Sequence, residues 1–135
     1  MHRTLVIAKP DAVERGLTGE IIARLERKGL KLVAAELRTI DRDTAAQHYA
    51  EHEGKGFYED LVSFIGRSPA MVMVVEGPDD TWQIVRTMMG PTNPAAAPPG
   101  TIRGDFGTEV QENLVHGSDS AESAEREIKI FFPDL

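Results

Sequence analysis

The chain has 135 residues, of which 41% are hydrophobic and 27% charged, so it is long enough to bury a core as a single domain over residues 1–135. It contains no cysteine, which excludes disulfides, thiol catalysis and cysteine-bound zinc. Its 22 Asp and Glu residues outnumber 15 Lys and Arg residues, and the net charge of -7 disfavours nonspecific binding to nucleic acid or to an anionic membrane.

The first part of the chain predicts two strands joined by a helix. Residues 3–8 form an apolar run typical of a buried strand, and Pro10 ends it. The run is too short for a signal peptide or a membrane span, so we expect a cytoplasmic protein. A helix capped by Thr18 and ended by Gly29 follows, and residues 30–40 alternate well enough for a second strand.

The rest of the chain predicts three more helical regions and two more strands. A helical hairpin over 43–52 and 57–65 precedes a buried strand over 71–75 and a helix that ends at Gly90. Residues 91–107 are rich in proline and glycine and predict a long structured loop, a feature that is usually functional. A strand over 113–116 and a helix capped by Ser120 complete the chain.

This order of elements predicts an α/β (α+β) fold. It corresponds to a ferredoxin-like doubled βαβ unit with one antiparallel four-stranded sheet. The helical hairpin is an insertion in that unit, and the long Pro/Gly-rich loop comes before the last strand. We expect the helices to pack against one face of the sheet.

Three cations lie at the ends of predicted elements. Lys9 follows the first strand, Arg86 is in the last turn of a helix, and Arg103 is in the long loop. The chain has no Gly-x-x-x-x-Gly-Lys-Ser/Thr run, so any phosphate ligand would need side-chain cations and Mg²⁺. Each cation taken alone is equally well explained as a solvated surface charge. Their shared placement favours one cleft.

His116 is the most promising candidate for chemistry. It lies at a strand end, and an imidazole titrates near neutral pH and can act as a nucleophile. A structural histidine would be the better interpretation without its surroundings. Glu127, on the following helix, can orient one ring nitrogen, and Ser118 can hydrogen-bond between the two.

Two other histidines, His48 and His52, have the i, i+4 spacing that can bind a metal on one helix face. No glutamate follows the first of them directly, so the zinc-protease motif is missing. We therefore predict that both lie on a solvated helix face.

Four segments, in chain order, resemble the nucleoside diphosphate kinase family. They are RTLVIAKPD at 3–11, GPTNP at 90–94, GTIRGDF at 100–106 and NLVHGSD at 113–119. The resemblance runs from Arg3 to about Phe132. It implies transfer of the γ-phosphoryl group from nucleoside triphosphates to nucleoside diphosphates by a ping-pong mechanism. A phosphohistidine at His116 would be the intermediate, base specificity would be broad, and Mg²⁺ would be the cofactor.

The resemblance also implies roles for matching positions. The catalytic residues would be His116, Glu127, Ser118, Tyr49 and Lys9. The nucleotide-binding residues would be Lys9, Phe57, Leu61, Arg86, Thr92, Arg103, Val110 and Asn113. Mg²⁺ would be bound through the nucleotide phosphates, with no direct protein ligand. For Phe57, Leu61 and Val110, core packing is the alternative.

The family further implies a homo-oligomer, either a hexamer or a tetramer. The sequence departs from the family pattern at Gly56, where proline is usual, and at Ser68, where glycine is typical. The alternative from another class is a noncatalytic ferredoxin-like module that binds nucleotides or partner proteins. Such a module has no need of an oriented nucleophile, so the joint presence of the site residues favours the enzyme.

Overall fold

The computed structural model describes residues 2–135. The strands within that range are β1 (His2–Ala8), β2 (Lys31–Arg38), β3 (Ala70–Gly77) and β4 (Val115–Gly117). The α-helices are α1 (Pro10–Glu14), α2 (Thr18–Arg27), α3 (Arg42–His48), α4 (Tyr58–Ile65), α5 (Thr81–Met89), α6 (Ile102–Phe106) and α7 (Ala121–Phe131). Short 3₁₀ turns lie at Ala50–His52 and Pro94–Ala96.

The four strands form one antiparallel sheet in the order β2-β3-β1-β4. Strand β1 pairs with β3 along its whole length and with β4 only at its C-terminal end, where Ile7 lies opposite His116. In each βαβ unit, the helix connects two strands that are not neighbours in the sheet: α2 connects β1 with β2, and α5 connects β3 with β4. The predicted ferredoxin-like arrangement is therefore confirmed.

Helices cover both faces of this sheet, so the expectation that they pack against one face is wrong. Leu5 and Ile7 of β1 join a core cluster with residues of α3, α4 and α7. Val6 and Ala8 point to the opposite face and pack with residues of α1, α2 and α5. Residues 4–8 are all buried, and an unbroken apolar run is what a strand covered on both faces requires.

Helix ends follow the predicted punctuation in most places. Ser120 caps α7, its side chain accepting a hydrogen bond from the backbone N–H of Ser123 at 3.0 Å. Gly29, with φ of +96°, follows α2 in the left-handed region that glycine tolerates. Thr18 is not a cap, because it is the first residue of α2 and Leu17 occupies the cap position.

The predicted loop over residues 91–107 is structured, but it contains α6 as well as a 3₁₀ turn. The Thr101 hydroxyl accepts a hydrogen bond from the backbone N–H of Gly104 at 3.0 Å, which caps α6. A Cβ atom on Gly104 would lie 1.9 Å from the carbonyl oxygen of Pro98, so this close packing requires glycine. Within residues 2–135, no helix combines the length and apolar character needed to span a membrane.

Candidate active site

One cleft, with a volume of about 290 Å³, brings together most of the residues predicted from the sequence. The predicted residues in its lining are Lys9, Tyr49, Phe57, Leu61, Arg86, Thr92, Arg103, Asn113, His116 and Glu127. Val110 lines an adjoining pocket that shares Lys9, Phe57 and Asn113 with the cleft. Ser118 lies behind the lining and is fully buried.

The turn before β4 positions His116. Leu114, directly before the strand, has a φ of +77°, which is unusual for a residue with a branched side chain. The buried carboxylate of Asp11 accepts a hydrogen bond from the Leu114 N–H at 3.1 Å, and the Lys9 N–H donates to the Leu114 carbonyl at 2.9 Å. These two bonds to the N-terminal segment fix the strained turn, and so fix the start of the strand that carries His116.

His116 and Glu127 are in direct contact. The ring Nε2 lies 3.0 Å from Oε1 of the carboxylate, which projects from the middle of α7. Ser118 does not bridge the two residues as predicted, because its hydroxyl donates to the same Oε1 atom at 2.7 Å. The Ser118 oxygen also accepts from the Leu5 N–H at 3.3 Å. Ser118 thus holds the glutamate against the centre of the sheet rather than touching the imidazole.

The protonation state of Glu127 determines the tautomer of His116. Burial alone would raise the pKa of Glu127, but hydrogen bonds from His116 and Ser118 and the charge interactions with His116 and His48 bring this pKa below its ordinary value. An ionised carboxylate only accepts hydrogen bonds, so the Nε2 atom of His116 must donate. The neutral ring then carries its lone pair on Nδ1.

A chain of polar contacts links three segments on the opposite wall. The Lys9 ammonium donates to the Asn113 side-chain oxygen at 2.9 Å, and the Asn113 amide nitrogen donates to the Thr92 carbonyl at 3.1 Å. Burial, reinforced by the charge of Arg103, lowers the pKa of Lys9 to about 8. Lys9 is therefore a cation poorly compensated by its surroundings, and an anion in the cleft would stabilise its charge.

Two guanidinium groups extend this wall. Arg103 is buried and donates to the backbone carbonyls of Gly90, Asn113 and Val115 at 2.7 to 3.1 Å. Burial, and next the charge of Arg86, lower the pKa of Arg103 to about 10. A guanidinium has five N–H donors, so these bonds leave two for a ligand. Arg86 donates one bond to the Gly117 carbonyl at 3.0 Å.

The outer end of the cleft is apolar and open. Phe57 is 47% exposed and Val110 is 53% exposed, so neither is packed in the core. Leu61 is half-buried and packs partly against the core cluster beside α4. Exposed aromatic and aliphatic surface beside a cationic wall fits a ligand with a flat apolar part and an anionic part.

The prediction that His48 lies on a solvated helix face is wrong. Its side chain is buried and not solvated, and its ring centroid lies 4.6 Å from that of His116 in an edge-on arrangement. The missed signal is the spacing of Ala45 and His48, which puts both on the buried face of α3. The chain leaves the α-helix after His48, so His52 is not aligned with it on one helix face. Asp119, also not predicted, lines the cleft.

Tyr49 lies beside His48, and both residues line the cleft. Its ring centroid is 4.6 Å from that of His48, and it is almost fully buried. Burial, with the nearby Glu127 charge, raises the pKa of the Tyr49 phenol above its ordinary value, so the hydroxyl remains protonated near neutral pH.

The two departures from the expected family pattern lie outside the cleft lining. Gly56 is exposed, and a Cβ atom there would meet nothing within 4 Å. The Ser68 hydroxyl donates to Glu14, which also forms an ion pair with Arg67 at 2.7 Å. Ser68 therefore belongs to a polar network that ties α1 to the segment before β3.

Comparison with known proteins identifies the family. Residues 2–135 match the nucleoside diphosphate kinase family. The chain belongs to this family. The nucleoside diphosphate kinase of Streptomyces avermitilis is 62% identical over 133 residues, covering 98% of this chain and 96% of the relative. That of Thermobifida fusca is 58% identical over 135 residues, covering 100% of this chain and 99% of the relative.

Solved nucleoside diphosphate kinases share the fold. The halophilic enzyme from Halobacterium salinarum, solved in complex with CDP, superposes with a TM-score of 0.95 at 51% identity, covering 98% of this chain and 88% of that one. The family protein from Babesia bovis also gives a TM-score of 0.95, at 48% identity, with the same shares covered. As a member of this family, the chain transfers phosphate between nucleotides, and the alternative of a noncatalytic binding module is not favoured.

Proposed function

We propose that the transfer proceeds by a ping-pong mechanism in which Nδ1 of His116 carries the γ-phosphoryl group between two nucleotides. The observation that supports this most strongly is the 3.0 Å contact between His116 Nε2 and Glu127. It engages one ring nitrogen and leaves the lone pair of the other free for attack. As Nδ1 bonds to phosphorus, the bond to the departing diphosphate breaks, and the ring gains positive charge that Glu127 stabilises.

The cationic wall suits the phosphates of a nucleotide. Arg86, Thr92 and Arg103 would bind phosphate oxygens, while Lys9 and Asn113 would hold the ribose 3′-hydroxyl near them. Charge neutralisation and positioning of this kind account for most of the rate in phosphoryl transfer, since the reaction needs little covalent help from the protein. Tyr49 would flank His116 and limit the positions its ring can take.

The apolar end of the cleft suits the base. Phe57 would stack on it, with Leu61 and Val110 beside the ring. The exposure of Phe57 and Val110 supports this role over core packing. A stacking surface makes few demands on base identity, because every base has a π-face. Broad base specificity follows for donor and acceptor alike.

Mg²⁺ would reach the cleft with the nucleotide. Within residues 2–135, the cluster with metal-ligand geometry is His48, His116 and Glu127. Imidazole nitrogens are poor ligands for Mg²⁺, which prefers oxygen, so this cluster does not fit the ion. The phosphate oxygens would therefore bind Mg²⁺, which neutralises charge as the group transfers.

We also propose that residues 1–135 form one domain, that the protein works in the cytoplasm, and that it assembles into a tetramer or a hexamer. The assembly is supported by β2, which is an edge strand of the sheet and exposes Leu37. An open edge with apolar surface is commonly covered by another chain.

Incubation with γ-labelled ATP and Mg²⁺, without an acceptor, tests the mechanism. We expect label on the protein that is stable to alkali, labile to acid, and discharged by any nucleoside diphosphate. The His116→Ala variant should take up no label while keeping its circular dichroism spectrum, and His52→Ala serves as the matched histidine control. Normal steady-state turnover by His116→Ala would rule out this nucleophile.

A further inference from the structure

A buried polar atom faces the His116–Glu127 pair. Nδ1 of His48 has no hydrogen-bond partner among residues 2–135, although its side chain is only 2% exposed. It lies 3.8 Å from Oε2 of Glu127, too far for a hydrogen bond. A buried imidazole nitrogen without a partner costs folding free energy, and a bound ion is one way to satisfy it.

The three side chains offer a set of metal ligands. One atom each from His48, His116 and Glu127 can be chosen so that all three lie within 4.8 Å of one another. Two imidazoles and a carboxylate with an open fourth position are the ligands of many zinc sites. With bonds of about 2.0–2.2 Å, a tetrahedral ion needs its ligands roughly 3.3–3.6 Å apart. His116 Nε2 lies 3.0 Å from Oε1 of Glu127, and His48 Nδ1 lies 3.8 Å from Oε2 of the same carboxylate. With one ligand atom from each residue, the largest separation is within 4.8 Å, so side-chain rotations would have to bring the ligand atoms to the tetrahedral spacing as the ion binds.

We propose that His48, His116 and Glu127 form a binding site for Zn²⁺ or a similar transition-metal ion, and that occupation of this site inhibits the enzyme. The ion enters from the cleft, where the His116 side chain is 20% exposed, and a water completes its coordination. The preference for Zn²⁺ over Mg²⁺ follows from the two nitrogen ligands.

The proton balance gives the reason for inhibition. In the free enzyme the single ring proton of His116 is on Nε2. When the ion binds Nε2, that proton leaves and a new N–H bond forms at Nδ1 through solvent, with no net proton release. The lone pair that attacks phosphorus is then occupied, and Glu127 no longer accepts from the ring. This consequence rests on the proposed role of His116, whereas binding of the ion does not.

Metal binding is measured first, on the full chain without nucleotide. Co²⁺ is titrated as the probe whose visible absorption reports coordination geometry, and Zn²⁺ is then used to displace it. We expect one ion per chain with a tetrahedral spectrum. His48→Phe keeps a ring but removes the ligand, and should weaken binding by more than the roughly 10- to 100-fold that loss of an outer partner costs.

His52→Phe is the matched control, since it removes the neighbouring histidine and should leave affinity unchanged. If His48→Phe does not fold, as judged by its circular dichroism spectrum, Glu127→Gln is used in its place to test whether loss of one ligand weakens metal binding. Equal affinity in wild type and His48→Phe, loss of binding in His52→Phe, or no saturation at one ion per chain would overturn the proposal.

Inhibition is measured by rapid mixing of zinc-loaded protein with labelled ATP and Mg²⁺, with each variant compared with its own zinc-free rate. Wild type should label more slowly when loaded, and His48→Phe should not respond. Equal labelling of loaded and zinc-free wild type overturns the inhibition. If zinc-free wild type takes up no label at all, the phosphohistidine mechanism fails, whereas the metal titration still decides the site.

Discussion

At the scale of single residues, the function depends on Glu127 fixing the tautomer of His116. Glu127→Gln keeps the side-chain size but removes the charge, and its amide can donate to the ring and favour the wrong tautomer. We expect single-turnover phosphorylation to slow by about 100-fold. Rapid-quench labelling measures this rate.

Ser118→Ala is the control for this variant. It removes one hydrogen bond to Glu127 and leaves the carboxylate in place, so its loss should be smaller. A Glu127→Gln rate equal to that of wild type would remove the glutamate from the mechanism.

The lowered pKa of Lys9 predicts a pH dependence. The pKa of Lys9 is about 8, so its ammonium loses its proton as pH rises through that value, and attraction for phosphates is lost on the alkaline side. The pH profile of kcat/KM reports the free enzyme and should therefore fall above about pH 8. In Lys9→Met, kcat/KM should be lower throughout, and this alkaline decline should be absent. If Lys9→Met showed the same alkaline decline in kcat/KM, the decline would belong to another titrating group.

The sequence predicted many of these residues but not all their contacts. His116, Lys9 and Arg103 occur in segments whose sequences and order along the chain resemble the family and so indicate phosphoryl transfer. Ser118 was misassigned because a turn sequence does not determine which partner a hydroxyl selects. His48 was missed because an isolated i, i+4 pair says nothing about which helix face packs, whereas its spacing from Ala45 does.

At the scale of elements, the long segment over 91–107 holds the cationic wall in place, and Gly104 is its tightest point. A Cβ atom at Gly104 would collide with the Pro98 carbonyl, displacing α6 and with it Arg103. We expect Gly104→Ala to lower the free energy of unfolding by about 1–3 kcal/mol. Nucleotide affinity should fall as well, as measured by urea unfolding and by binding titration.

Gly19→Ala is the matched control, because a Cβ atom on that helical glycine meets nothing within 4 Å. It should leave affinity unchanged and keep or slightly raise stability, since alanine is the better helix former. Wild-type stability and affinity in Gly104→Ala would show that the segment tolerates displacement.

Element order was predictable because proline, glycine and serine punctuate the chain where elements change. The packing of helices on both faces of the sheet was not predicted. The unbroken apolar run at residues 5–8 indicates it, because a strand exposed on one face would alternate apolar and polar residues. The helix α6 was missed because five residues between glycines and prolines give too little helical periodicity to detect.

At the scale of the whole molecule, the exposed edge strand β2 predicts self-association. Sedimentation velocity should give a particle of four or six chains of 14.8 kDa each. Leu37→Lys should weaken the assembly, while Leu135→Lys, at another exposed leucine, should not. A stable monomer at concentrations where the enzyme is active would contradict this assembly.

In the proposed reaction, one ring nitrogen of His116 holds the phosphoryl group between two nucleotides. The most direct measurement is phosphorus NMR with mass spectrometry on enzyme trapped after mixing with ATP and Mg²⁺ and before addition of an acceptor. The result we predict is a single phosphohistidine at His116, bonded through Nδ1 and lost when a diphosphate is added. A phosphoryl group on another side chain, or none on the protein while turnover continues, would rule out His116 as the carrier.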